Sequence, residues 1–140
     1  MEKTNYAKKK QVYYKVLIKC EKNIVNNINK FIEQLVNLYG TSSPFELCKK
    51  LHINIIFIEL PESTNGLFVK TKENMKLILI KNTLKIKEIR KVCAHELAHA
   101  VLHGNTNAIC LEKNEELLQK LDKEADYFAK YLLSYKKDDI

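Results

Sequence analysis

The spacing of apolar residues divides the chain into helical and extended stretches. In "NIVNNINKFIEQLVNLYG" (23–40), Ile24, Ile28, Phe31, Ile32, Leu35 and Leu38 recur at three- and four-residue intervals, and Gly40 follows as a stop. The spacing predicts an amphipathic helix. "SSPFELCKKL" (42–51) predicts a second, short helix, with Ser43 as N-cap and Pro44 in its first turn. The pattern then tightens into extended stretches: "INIIFIEL" (53–60), "LFVK" (67–70) and "MKLILI" (75–80). Pro61 ends the first of these, and an Asn65-Gly66 turn signal separates it from the second. Helical spacing returns over 84–102 with Gly104 as terminator, and a last helix runs from Asn114, which precedes Glu115 and Glu116, to about Tyr135. Between them "NTNAIC" (105–110) reads as a loop. Residues 12–18, "VYYKVLI", are β-branched and aromatic and read either as a strand or as a helix entry. Helices, a small sheet and two long helices in that order define an α+β domain.

Composition narrows the class. A chain of 140 residues with 46% apolar and 29% charged content is expected to form one globular domain with a real core. Its longest apolar run is far shorter than the ~20 residues a bilayer span needs, and no apolar stretch follows the early lysines, so neither a membrane span nor a signal peptide is expected. Cys20, Cys48, Cys93 and Cys110 form no C-x-x-C pair, which suits reduced thiols and a cytoplasmic location.

Charge changes the picture at one end only. The net charge is +7, and residues 1–22 hold seven lysines against two glutamates. Residues 1–11 are expected to be a flexible basic arm, and residues 12–140 the folded domain. A basic arm can meet nucleic acid or an acidic partner, but no nucleic-acid motif accompanies it, and direct nucleic-acid binding is not expected.

The chemistry concentrates in "CAHELAHAVLH" (93–103). His95 and His99 stand one helical turn apart on one face, where a single metal ion can reach both. Glu96, about 100° round the helix, is placed to take a proton from a water held by that ion. From Val92 to Leu102 all other residues are apolar, so the helix is buried nearly all round. Two imidazoles and a carboxylate in such a setting need a partner. That partner is a metal, or else hydrogen bonds within the core.

A third ligand must come from elsewhere. His103 continues the series, but its Cα lies about 12 Å from that of His95 at ~1.5 Å per residue, and three rings in a row do not converge on one ion. In the last helix the apolar stripe Leu117, Leu121, Ala125, Phe128 and Leu132 brings Glu124 towards the core side. Glu124 is therefore the expected third ligand, with a salt bridge to Lys120 as its alternative use.

"HELAHAVLH" (95–103) together with "EADYFAKYLL" (124–133) resembles the ImmA/IrrE family of zinc metallopeptidases. Asn65-Gly66-Leu67-Phe68 before a strand, and "LILI" before the motif helix, agree with it. The resemblance covers roughly residues 43–133. It implies a minimal zincin-like domain with zinc on His95, His99 and Glu124, and Glu96 as general base. Asp126 would support the helix or the ligands. His103 and Tyr127 are the candidates for stabilising an oxyanion, and His103 could equally cap its helix. The implied activity is cleavage or inactivation of a helix-turn-helix transcriptional repressor of a mobile element, prophage or stress regulon. The alternative is a non-catalytic, zinc-containing anti-repressor that acts by contact. Manganese or iron would also suit such a ligand set.

Overall fold

The computed structural model describes residues 24–104 and 114–135. The basic arm at 1–11, the 12–18 segment and the 105–110 loop lie outside the described residues. Among the described residues four helices and three strands follow in order: α1 (Ile24–Tyr39), α2 (Pro44–Lys50), β1 (Ile53–Ile58), β2 (Gly66–Lys70), β3 (Lys76–Lys81), α3 (Ile86–Leu102) and α4 (Glu115–Ser134). The fold is α+β, as the spacing predicts. No helix among the described residues is long and apolar enough to cross a membrane.

The helix boundaries have local causes. Gly40 ends α1 with a φ of 72°, a backbone conformation that glycine adopts without cost, and its N–H bonds the Val36 carbonyl at 2.8 Å. Ser43 caps α2, its Oγ accepting from the Glu46 N–H at 3.4 Å. Asn114 caps α4 through its side-chain oxygen, 3.0 Å from the Leu117 N–H. α3 ends at Leu102, as the spacing predicts. The C-cap of α3 is His103, at φ −122°, and Gly104 lies beyond it in a turn.

The sheet has the order β1-β3-β2, with β1 parallel and β2 antiparallel to β3. β1 and β2 therefore do not form a hairpin across Asn65-Gly66. Both pair with β3, whose Ile78 and Ile80 are fully buried. Gly66 instead opens β2 and pairs with Ile80. A methyl group there would come within 2.3 Å of Val92 Cγ1 and 3.1 Å of Glu96 Cγ, both on α3. The absent side chain is what lets the sheet lie directly against the motif helix.

α3 is the centre of the domain, packed on β2, β3, α2 and α4. Its buried face is built from small residues, Cys93, Ala94, Ala98 and Ala100, around Leu97. Cys93 Sγ lies 3.9 Å from Cys48 Sγ of α2, and both are free, buried thiols. α4 answers with Ala125, Phe128, Ala129 and Leu132. α1 closes the core with Ile28, Phe31, Ile32, Leu35 and Val36, and Phe31 meets Phe128 at 6.2 Å between ring centroids. Outside this contact, Tyr127, Tyr131 and Tyr135 form a row of adjacent rings along α4. Two of them donate hydrogen bonds back to α1: Tyr127 to Asn29 at 2.8 Å and Tyr131 to Glu33 at 3.0 Å.

Gly66→Ala should therefore destabilise the fold by about 1–3 kcal/mol, the usual range for overpacking against a side chain that is stiff at χ1. Val92→Ala in the same chain should restore part of that loss. Denaturant unfolding of the two variants measures both effects, and unchanged stability in Gly66→Ala would refute the close approach.

Candidate metal centre

The small-residue face of α3 leaves His95, Glu96 and His99 as its only polar groups between Val92 and Leu102. Their ligand-type atoms all lie within 4.8 Å of one another. His95 Nε2 and His99 Nε2 face each other at 3.2 Å, with the rings edge to face. Across from them stands a carboxylate of α4, that of Asp122. Its Oδ1 is 3.1 Å from His99 Nε2 and 3.4 Å from His95 Nε2.

The three atoms thus form a triangle with edges of 3.1 to 3.4 Å. Bonds of ~2.0–2.1 Å to a tetrahedral zinc place neighbouring donors about 3.3 Å apart, so the triangle matches one face of that tetrahedron. Burial and the neighbouring His103 and His95 lower the pKa of His99 to about 4. At neutral pH its ring is uncharged, the form that can ligate. His95 is held from behind, its Nδ1 lying 2.8 Å from Asp126 Oδ1. A carboxylate on the distal nitrogen is the usual support of a ligating imidazole.

Glu96 does not join the triangle of donors. It is buried, and its carboxylate accepts the backbone N–H of Phe68 in β2. Burial raises its pKa from 4.5 to about 7; Asp122 adds to this, while His95 and the Phe68 N–H oppose it. The carboxyl borders a cleft of about 420 Å³ that Asn65, Gly66, His95, Asp122 and Asp126 also line. A proton acceptor with near-neutral affinity therefore opens onto the same space as two of the three donors.

Glu124, the carboxylate expected to complete the centre, lies elsewhere. Its Oε1 is 3.0 Å from His103 Nε2, and His103 Nδ1 is 3.0 Å from His99 Nδ1, on the far side of the His99 ring from Asp122. Both nitrogens of His103 are thereby engaged. The Tyr127 hydroxyl donates to Asn29 on α1. Asp126 has the supporting place on His95 that the resemblance left open. Asp122 was not among the expected residues, yet a signal for it exists. Asp122 and Asp126 are four apart, as are His95 and His99, so each helix presents a pair one turn long to the other.

Two histidines and a facing carboxylate, with a second acid at a cleft, are compatible with a metal site of the hydrolase type. Comparison with known proteins agrees with that class. Residues 48–136 match the model of Peptidase_M78, the IrrE N-terminal-like domain, and the chain belongs to this metallopeptidase family. It is also 36% identical over 107 residues to the uncharacterized immunity region protein 2 of Bacillus phage phi105, a match spanning 76% of this chain and 67% of the relative.

The two perturbed groups act oppositely on the metal-free fold. Glu96 is more basic folded than unfolded, so its contribution falls as pH rises from 4.5 to about 7. His99 is less basic folded than unfolded, so its contribution falls as pH drops from 6.5 to about 4. Glu96→Gln should consequently stabilise metal-free protein by up to about 3 kcal/mol at about pH 8, and by nothing at about pH 4. Thermal unfolding in a chelating buffer gives the difference. A gain that did not depend on pH would contradict the buried carboxyl.

Proposed function

We propose that this protein is a zinc-dependent endopeptidase acting in the cytoplasm on a helix-turn-helix transcriptional repressor. The observation that carries the reading is the triangle of His95 Nε2, His99 Nε2 and Asp122 Oδ1, with buried Glu96 beside it. These three residues would hold the zinc, and Asp122 replaces Glu124 as the third ligand. Zinc in such a site supplies a Lewis acid that polarises a carbonyl and lowers the pKa of water towards ~7.

The chain's own residues account for the remaining chemistry. Glu96 takes a proton from the attacking water and returns it to the departing amine. A proton affinity near neutrality, about 7, suits a group that must do both. The Phe68 N–H and the close packing of Gly66 keep that carboxylate pointed at the cleft. Asp126 holds the His95 ring in position. The cleft runs beside the start of β2, where an extended peptide segment can lie. A repressor as substrate is supported by the relative from a phage immunity region. It also agrees with the family resemblance of the motif.

The test is co-incubation of zinc-loaded protein with the purified helix-turn-helix repressor encoded beside its gene, read by intact-mass spectrometry. Wild-type protein should make one defined cut. Glu96→Gln should retain zinc and cut about 10²–10⁴ times more slowly. Asp122→Ala and His99→Ala should instead lose bound zinc, measured by elemental analysis after gel filtration. A repressor that is bound but left whole would favour an anti-repressor acting by contact.

A further inference from the structure

Behind the donor triangle, the atoms of His99, His103 and Glu124 form a continuous line. His99 Nδ1 lies 3.0 Å from His103 Nδ1, and His103 Nε2 lies 3.0 Å from Glu124 Oε1. The line is sheltered: the His103 side chain is 7% exposed and that of Glu124 18%. Water therefore competes poorly for these bonds. We propose that His103 and Glu124 are positioning residues of the metal centre, a two-member hydrogen-bond chain that fixes the tautomer and ring orientation of His99. The proposal rests on the metal-binding reading above.

Hydrogen-bond directions lead to this assignment. His99 Nε2 faces His95 Nε2 and Asp122 Oδ1, and a cation there requires its lone pair. The proton of neutral His99 must then sit on Nδ1. Two imidazole nitrogens 3.0 Å apart need one hydrogen between them, so His103 Nδ1 accepts and the His103 proton sits on Nε2. That N–H points at Glu124 Oε1, a carboxylate oxygen that accepts it. Once His99 ligates, no other neutral arrangement satisfies every atom.

The two ligating rings are thus backed alike, one directly and one through an intermediate. Asp126 takes the distal nitrogen of His95, and Glu124 takes that of His99 by way of His103. Such a backing makes the ligand nitrogen more basic and keeps the ring from turning out of line. His103 also sits where α3 ends: its own N–H bonds the His99 carbonyl at 2.9 Å, and Lys70 Nζ reaches the Gly104 carbonyl at 3.5 Å. The ring therefore hangs from backbone that is itself held.

The experiment has two arms on the full chain. In the first, zinc affinity is measured by competition with a chromogenic chelator. Glu124→Ala and His103→Ala should each weaken binding about 10–100-fold, the range known for such supporting residues. The double variant should lose no more than His103→Ala alone, since the carboxylate acts through that ring. Glu124→Gln, whose amide oxygen still accepts from Nε2–H, should recover most of the affinity. A merely structural pair would lower the stability of metal-free protein without this pattern.

In the second arm, long-range ¹H–¹⁵N spectra of zinc-loaded wild type should show His99 protonated on Nδ1 and His103 on Nε2. This arm needs no variant to fold. The proposal is overturned if both alanine variants bind zinc as tightly as wild type, or if His103 carries its proton on Nδ1. It is also overturned if Glu124→Ala abolishes the site outright while Asp122→Ala does not, which would make Glu124 a direct ligand. A wild type that binds no zinc ends the metal reading and this inference together.

Discussion

Lone pairs on two nitrogens and an oxygen repel one another when they converge on one point, and everything around His95, His99 and Asp122 is arranged so that they do converge. A cation, or protons shared among the three, must offset that repulsion. The rest of the domain can be understood as the means of holding the convergence. α3 is stripped to alanine and cysteine on the faces that meet other elements, so that α4 and the sheet come close. Gly66 gives the sheet its share of that approach. Asp126 occupies the outward nitrogen of His95, and His103, backed by Glu124, that of His99, so that the inward ones stay free to converge.

The same packing separates the acids by function. Asp122 and Asp126 have exposed side chains and sit on the rim. Glu96 is buried, and its proton affinity climbs accordingly. Burial is the largest cause of that difference, with the charge of Asp122 adding to it. An exposed carboxylate and a buried one with near-neutral proton affinity thus stand beside the same cleft.

Much of this was legible from residue spacing. The periods of α1, α3 and α4, the caps at Ser43 and Asn114, the stop at Gly40 and the three strands all follow from local rules. Sheet order did not, because a two-residue period records which side of a strand faces the core and nothing about its neighbour. Asn65-Gly66 signals a turn between β1 and β2, yet not that β1 pairs with β3 in parallel. The carboxylate that faces the two histidines differs from the expected one for a related reason. Reasoning from the apolar stripe of α4 selects inward positions and finds Glu124, which is indeed sheltered, against His103. A carboxylate at the mouth of a cleft stays reachable, and Asp122 is 64% exposed. The facing i, i+4 pairs held that information; the hydrophobic pattern did not.

The hydrogen bonds from Tyr127 and Tyr131 to α1 bear on the order of assembly. They join residues 98 apart in the chain, whereas His99 and Asp122 are 23 apart. Loop-closure entropy favours the shorter contact, so α3 and α4 can find each other before α1 arrives. The donor triangle belongs to that earlier pair. A cation captured there would stabilise a half-built domain, and the tyrosine row would then fasten the last helix over a centre already formed.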